Sequence, residues 1–245
     1  MYSFQNHYEN ALSQHYTRVY GGRLQNYEKA NSILDRFGLL PNDKEHALAI
    51  DMGAGPGFYS VPLARRGYQV VAIDLDANLL SELESNLGSE TVQTKCGDLL
   101  DASNYPAAGA DLAICMTDTI AHLNTIEQQK RLFQIAFQSL RNGGTFLCSF
   151  RDQSRALTDT DRFLPFYSDD SLIATTFVEH SDTSVRVTDI FYSWDGSSWT
   201  MNASAYNKIR VYSDELRGIL EESGFLVQSE FLDRGMTYFL CTRNS

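Results

Sequence analysis

Basic charge is scarce in these 245 residues: 20 Lys and Arg stand against 31 Asp and Glu, a formal net charge of −11 at pH 7. A protein that grips nucleic acid needs a basic face, because neutralising phosphates and releasing their counterions supplies most of that affinity. Adsorption to an anionic membrane surface fails on the same count. Long apolar runs are missing too. Stretches such as 47–50 and 70–73 fall far short of the ~20 residues a spanning helix requires. Residues 1–10 carry neither the charged n-region nor the apolar h-region of a secretion signal, so no membrane partner and no export are expected. The four cysteines, Cys96, Cys115, Cys148 and Cys241, lack any C-x-x-C spacing and fall in apolar, strand-like stretches where buried free thiols are common. Neither a disulfide nor a metal site is expected from them, and a reducing, cytoplasmic compartment fits. What is present is ample core material, 43% hydrophobic and 12% aromatic residues.

The first 46 residues are charge-balanced, five residues of each sign, and rich in tyrosine. Two helices are expected there, divided at Gly21-Gly22. In the second, Tyr27, Ala30, Ile33, Leu34 and Phe37 recur at helical spacing and Gly38 stands at the C′ position. This segment, 1–46, reads as a helical cap. From 47 to 150 strands alternate with helices: strands at 47–52, 69–74, 92–96, 110–116 and 145–150, helices at 58–66, from Asp76 to a stop at Gly88, and at 125–141 with Ile126, Phe133, Ala136, Phe137 and Leu140 inward. Asn142-Gly143-Gly144 is expected to separate the last helix from the last strand. Such alternation predicts an α/β fold with a mostly parallel sheet covered on both faces. The alternation stops at 151–210, where a polar loop to about Asp170 precedes antiparallel strands at 173–179, 185–194 and 199–208. A helix from Ser213 to Gly224 and strands at 225–232 and 236–243 return the chain to the core, which therefore comprises 47–150 and 211–245, with a β-rich insertion between.

The most informative segment is Asp51-Met-Gly53-Ala54-Gly55-Pro-Gly57, a strand running into a turn with glycine at three alternate positions and a helix beyond. Glycine is required where φ is positive or a ligand lies on the main chain, and the helix start offers free N–H groups. A dinucleotide turn, G-x-G-x-x-G, would need its third glycine where Phe58 stands, which disfavours a dehydrogenase. A carboxylate, Asp74, ends the second strand, and Gly97-Asp98-Leu99 follows the third.

Together these residues resemble the class I S-adenosylmethionine (AdoMet) methyltransferases, whose fold is a Rossmann-like, mostly parallel sheet with its last strand antiparallel. The resemblance implies that Asp51 lies near the methionine ammonium group, that Gly53, Ala54, Gly55 and Gly57 cradle the cofactor, that Asp74 accepts both ribose hydroxyls, and that Leu75 packs on the adenine. It implies further that Asp98, with Gly97 and Leu99, receives the adenine amino group, Asp101 being the alternative, and that Cys115 and Met116 complete the pocket. Asp74 and Asp76 also suit helix N-caps.

In open α/β sheets ligands sit beyond the carboxyl ends of the strands. There Thr117-Asp118-Thr-Ile-Ala-His122-Leu is similar to the Gly-Asn-Ser-x-x-His-Leu stretch of glycine N-methyltransferase-like enzymes, and Ser149-Phe-Arg151-Asp152 to their Asp-His-Arg-Asn. The resemblance implies that Arg151 and Asp118 hold the acceptor. An ionised Asp118 only accepts hydrogen bonds, which favours a cationic or hydroxyl-bearing molecule over glycine. Tyr16 and Tyr20 are placed to close from the cap over the methionine end of the cofactor and the acceptor respectively. His122 is the nearby base with a suitable intrinsic pKa. The plain structural readings are an ion pair of Arg151 with Asp152 or Asp159, a packing role for His122, and sheet packing for Phe191, Tyr192, Trp194 and Trp199. The expected activity is methyl transfer from AdoMet to a small-molecule amine, leaving S-adenosylhomocysteine; O-methylation, or cofactor binding without transfer, stays open, as does a homodimer. The Asn-Pro-Pro-Tyr type motif of base-methylating enzymes is absent.

Overall fold

The computed structural model describes residues 15–41, 43, 45–107 and 109–244. The cap contributes helices α1 (Tyr16–Val19) and α2 (Arg23–Arg36); residues 1–14 of the expected first helix lie outside the described residues. The core then runs β1 (Leu48–Met52), α3 (Ser60–Arg66), β2 (Gln69–Asp74), α4 (Ala77–Ser85), β3 (Val92–Cys96), β4 (Ala110–Cys115), α5 (Ile126–Ser139) and β5 (Leu140–Phe150). Four strands follow, β6 (Phe163–Ser168), β7 (Leu172–His180), β8 (Ser184–Trp194) and β9 (Trp199–Ile209), before α6 (Ser213–Glu222), β10 (Phe225–Asp233) and β11 (Met236–Arg243).

The core strands form one seven-stranded sheet in the order β10-β11-β5-β4-β1-β2-β3. Pairings among β1 to β5 are parallel, and β11 is antiparallel to both neighbours. This is the Rossmann-like methyltransferase arrangement expected from the sequence, with an additional antiparallel sheet, β6-β7-β8-β9. Central β1 is buried from Ala49 to Met52 because helices cover both faces. Ile50 and Met52 pack with Leu132, Phe133 and Ala136 of α5 and Leu216 and Leu220 of α6. Ala49 packs on the other side with Ile33 and Leu34 of α2, Leu63 of α3 and Leu80 of α4. Fully burying a Leu, Ile or Phe side chain is worth ~1.5–3 kcal/mol relative to exposure. The two layers therefore fix the sheet, and with it the row of loops at its carboxyl edge.

Several local expectations need correction. Helix α3 begins at Ser60 rather than Phe58, and Pro62 fits because first-turn residues donate no intrahelical bond. Helix α4 stops at Ser85 rather than at Gly88, whose N–H is held by Glu90 Oε2 at 2.6 Å. Helix α5, capped by Thr125, ends at Ser139 and leaves Ile126 exposed on its first turn. Leu140 is already in β5 opposite Ala110, and the register shifts before Thr145 meets Leu112, so Asn142-Gly143-Gly144 forms an irregularity within the strand instead of a linker. The segment read as a polar loop contains β6, an edge strand that tolerates Pro165 because its outer side needs no ladder bonds. Cys96 is exposed on edge strand β3, whereas Cys115, Cys148 and Cys241 are buried free thiols. Among the described residues no helix is long and apolar enough to cross a membrane, and no cluster of His, Cys, Asp and Glu could hold a metal ion.

Candidate active site

The ends of β1 to β4 open into a cleft lined by Gly53, Gly55, Asp74, Leu75, Asp76, Leu79, Asp98, Leu99, Thr117, Thr119, His122, Leu123 and, from the cap, Tyr16. Its floor is the glycine turn. Gly53, Gly55 and Gly57 all have positive φ (82°, 52° and 83°). At Gly53 a Cβ would stand 2.6 Å from Thr119 Cγ2, and at Gly57 one would stand 2.2 Å from Leu83 Cδ1, so both positions need glycine twice over. Gly55 faces nearly open space and donates its N–H to Asp74 Oδ2 at 2.7 Å. The other oxygen of Asp74 accepts from Asp76 N at 2.9 Å, leaving lone pairs of both oxygens for a vicinal diol. Burial raises the pKa of Asp74, while the N–H groups of Asp76 and Gly55 work in the opposite sense.

Around this floor the sequence candidates separate into two groups. Leu75 presents an exposed apolar side chain to the cleft, 43% accessible, beside Leu99 and Asp98. Gly97 sits against the Asn104 side chain, and Asp101 caps a short turn through Ser103 N, so Asp98 and not Asp101 reaches the cleft wall. Asp76 is the α4 cap, accepting from Asn78 N at 2.8 Å and Leu79 N at 3.2 Å. Its second oxygen is buried at the cleft wall with no hydrogen-bond partner among the described residues, a place for a ligand hydroxyl. By contrast, Asp51 lies beneath the turn, 2% exposed, accepting from Ser60 Oγ at 2.6 Å. Burial pushes its pKa up to about 7, with the Asp74 charge adding to the rise. Ala54, Cys115 and Met116 are likewise buried behind the wall; Met116 acts through its carbonyl, which accepts from Thr119 Oγ1 at 2.8 Å. The wall there is Thr117 and Thr119, which sequence reading passed over.

Thr117 and Asp118 have φ of 56° and 73°, the left-handed region that Gly and Asn adopt most readily. They stand where Gly and Asn occupy the similar motif, and this chain meets that conformation with Thr and Asp. The strain, of order 1–3 kcal/mol per residue, is opposed by a dense bond set. Ser149 Oγ accepts from Thr117 N at 2.8 Å, Asp118 Oδ1 accepts from Arg151 N at 3.0 Å, and Asp118 Oδ2 accepts from Lys208 Nζ at 2.8 Å. Asp118 is thus 3% exposed, with both oxygens engaged by the protein, and ties β9 to the core; it does not line the cleft.

The second sheet and the cap close the other side. His122 lines the cleft and lies 5.6 Å from the Tyr206 ring of β9, centroid to centroid. Tyr16 packs on Phe58 at 6.0 Å and on Tyr20 at 4.7 Å. Thr17 Oγ1 donates to Glu82 of α4 at 2.6 Å, while Arg18 meets Asp169 at 2.6 Å and Val19 packs with Leu172, Ala174 and Phe191. Helix α1 therefore bridges the core and the inserted sheet across the cleft. Arg151 is exposed, and its charge bears on the hydroxyls of Tyr20 and Tyr238; among the described residues it makes no ion pair with Asp152, which instead accepts from Ser213 N at 2.7 Å at the start of α6, nor with Asp159. Trp194 and Trp199 meet with tilted rings, centroids 5.5 Å apart, on the far side of the inserted sheet, and Tyr192 faces outward beside them. Phe191 alone of these aromatics is buried inward.

Known proteins share this architecture. The family model "Methyltransferase domain" matches residues 49–144. Methyltransferase gedG of Aspergillus terreus is 30% identical over 99 residues, covering 40% of this chain and 30% of that protein, so the chain spans less than a third of that relative's length. An S-adenosylmethionine-dependent methyltransferase from Clostridium acetobutylicum superposes with a TM-score of 0.75 at 16% identity, covering 99% of this chain and 98% of the other. AdoMet-bound CalS10 from Micromonospora echinaspora, an amino pentose methyltransferase of calicheamicin biosynthesis, gives 0.77 at 15% identity, over 93% and 94% of the two chains.

Proposed function

We propose, for a chain that carries a class I AdoMet-dependent methyltransferase domain with AdoMet as its methyl donor, transfer of that methyl group to the nitrogen of a small amine. The observation that carries the reading is the bond from Gly55 N–H to Asp74 Oδ2. It folds the glycine turn against the carboxylate, so that backbone, Asp74, Asp76, Leu75 and Asp98 line one cleft suited in turn to a methionine tail, a ribose diol and an adenine. When bound, AdoMet supplies a sulfonium-activated methyl group. The protein's task is then alignment in a water-poor site, with Tyr16 as the cover on the cap side.

An amine arrives at neutral pH as an ammonium ion and must shed a proton before its lone pair can form the new N–C bond. His122 lines the cleft and abuts the inserted sheet, and this supports its imidazole as the base that receives that proton. Arg151, exposed beside Tyr20, is the cation assigned to an acidic end of the acceptor. Asp118 orients the acceptor loop rather than touching the acceptor. That CalS10 acts on an amino pentose is in keeping with an amine acceptor.

Calorimetry should detect AdoMet binding at micromolar Kd and no NAD binding; NAD binding without AdoMet binding would overturn the reading. His122→Ala should keep the AdoMet Kd within about twofold and lower kcat on amines by about 10²-fold, the usual scale of general base catalysis.

A further inference from the structure

The inserted sheet is apolar on both faces. Its inner face buries Leu172, Ala174 and Phe191 against Val19 of the cap. Along the same strands the alternate residues point away from the rest of the molecule, where an antiparallel sheet ordinarily turns polar side chains to water. Here they do not. Ile173, Tyr192 and Met201 stand directly opposite one another on β7, β8 and β9, and Trp194 pairs with Trp199 beyond them. Phe163 of β6 packs on Phe177 of β7 with ring centroids 4.7 Å apart. Exposure runs from 38% at Ile173 to 58% at Met201, and both tryptophans of the chain lie on this face.

Charge is placed with the same bias. In a chain of net charge −11, the outward strand positions of this sheet hold one acid and one base, Glu179 and Arg186. They pair across the ladder and lie 4.0 Å apart. Aromatic side chains and methionine, with charge depleted from the centre, are the composition of an interface core. The size fits as well. Four strands of 6, 9, 11 and 11 residues, spaced ~4.8 Å apart and rising ~3.4 Å per residue, present ~600 Å² in projection. Side-chain relief adds to that, which brings the face to the top of the range for a monomer's largest apolar patch and near the ~800 Å² that each partner gives a standard interface.

We propose that the outer face of the inserted sheet, centred on the Ile173, Tyr192 and Met201 row and the Trp194 and Trp199 pair, is the interface on which two copies of this chain pack, sheet against sheet. A second copy is the occupant that the charge favours. Two molecules of net charge −11 repel wherever their ordinary surfaces meet, and this face, with its one acid balanced by one base, brings no net charge to the contact. Twisted sheets pack face to face at about 30° with their side chains interdigitated, so the face is complementary to a copy of itself, as a two-fold interface requires. An anionic membrane surface is a poorer fit, because a single arginine on an acidic chain gives little electrostatic attraction. The inner face of the same strands carries Tyr206, against His122, and Lys208, against Asp118, so pairing at the outer face braces the wall that closes the cleft. The inference is independent of which acceptor the cleft takes.

The test is sedimentation velocity on the full chain across a dilution series, with tryptophan emission and acrylamide quenching read on the same samples. Because Trp194 and Trp199 are the chain's two tryptophans and both sit on the face, their fluorescence reports its burial directly. Wild-type protein is expected to sediment as two chains at micromolar concentration and, on dilution, to dissociate with a red shift and stronger quenching. Tyr192→Glu and Met201→Glu should each raise the dimer dissociation constant about 30-fold or more, the scale of losing a central contact. Circular dichroism melts report folding of each variant, and Met201, the more exposed of the two, carries the test if Tyr192→Glu fails to fold. A wild-type monomer throughout the series would overturn the proposal. So would a dimer that neither substitution weakens, since the contact would then lie elsewhere. Protein that stays monomeric but shifts its tryptophan emission on phosphatidylglycerol vesicles would overturn it in favour of a lipid surface.

Discussion

The glycine-turn side and the inserted-sheet side of the cleft are built by different means. On the turn side the groups facing the cleft come from turns at consecutive strand ends, and short-range backbone geometry sets them: positive φ at three glycines, a carboxylate bonded to N–H groups 2 and 19 residues away, a cap at Asp76. On the inserted-sheet side the defining contacts span the chain. Lys208 reaches Asp118 across 90 residues, and Arg18 reaches Asp169 across 151. Geometry of the first kind is local and shows in a sequence as a motif; contacts of the second kind form only when the inserted sheet and the cap dock on the core.

The sharpest way to break that division is at the long-range pair. Lys208→Met leaves the carboxylate of Asp118 buried without its cation, and loss of one member of a buried pair costs ~3–5 kcal/mol. Denaturant unfolding should show that loss, the double variant with Asp118→Asn should recover part of it, and the folded fraction should still bind AdoMet. Simultaneous loss of AdoMet affinity would mean that the two sides are one unit. A smaller effect is expected from Gly53→Ala. A methyl at φ +82° and 2.6 Å from Thr119 Cγ2 should cost ~1–2 kcal/mol of stability from the left-handed backbone alone and weaken AdoMet binding about tenfold or more. Titration of that binding checks it.

The smallest effect is a pH slope. The folded pKa of Asp51, about 7, lies above its ordinary value of 3.8, so the native state retains a proton that the unfolded chain releases between these values. The stability this group contributes is therefore complete at low pH and is lost as pH rises through about 7. Asp51→Asn should remove the slope, gaining stability relative to wild type between pH 5 and pH 8. Because a cationic ligand favours the ionised acid, wild-type AdoMet affinity should rise over pH 6–8 and that of Asp51→Asn should stay flat, as calorimetry in two buffers would show.

How much could be read in advance follows the same line. Strand β2 was legible to the residue because a parallel strand under helices is a short apolar run with defined ends, and the mixed edge strand β3, Val92-Gln-Thr-Lys-Cys96, was bounded by the Gly97-Asp98 that follows it. Strand β6 was not, because an exposed edge strand of Phe163-Leu-Pro-Phe-Tyr-Ser168 inside a charged stretch has no buried face to mark it. Asp74 and Asp98 were legible as cleft groups since each sits at a strand end. Asp118 was assigned to the acceptor from its motif position, but its partner Lys208 is invisible without the fold. Thr117 and Thr119 were missed because a threonine carries no signal until the backbone turns it toward the cleft.

The sequence by itself determined the sheet, the glycine turn and the carboxylates at strand ends, since these depend on periodicity, positive φ and spacings of a few residues. Only the tertiary structure decided which acids line the cleft, which are paired within the protein, and that Tyr16 reaches the cleft from the cap. Those outcomes depend on burial and on charges brought together from opposite ends of the chain, and neither quantity exists until the cap and the inserted sheet have docked on the core.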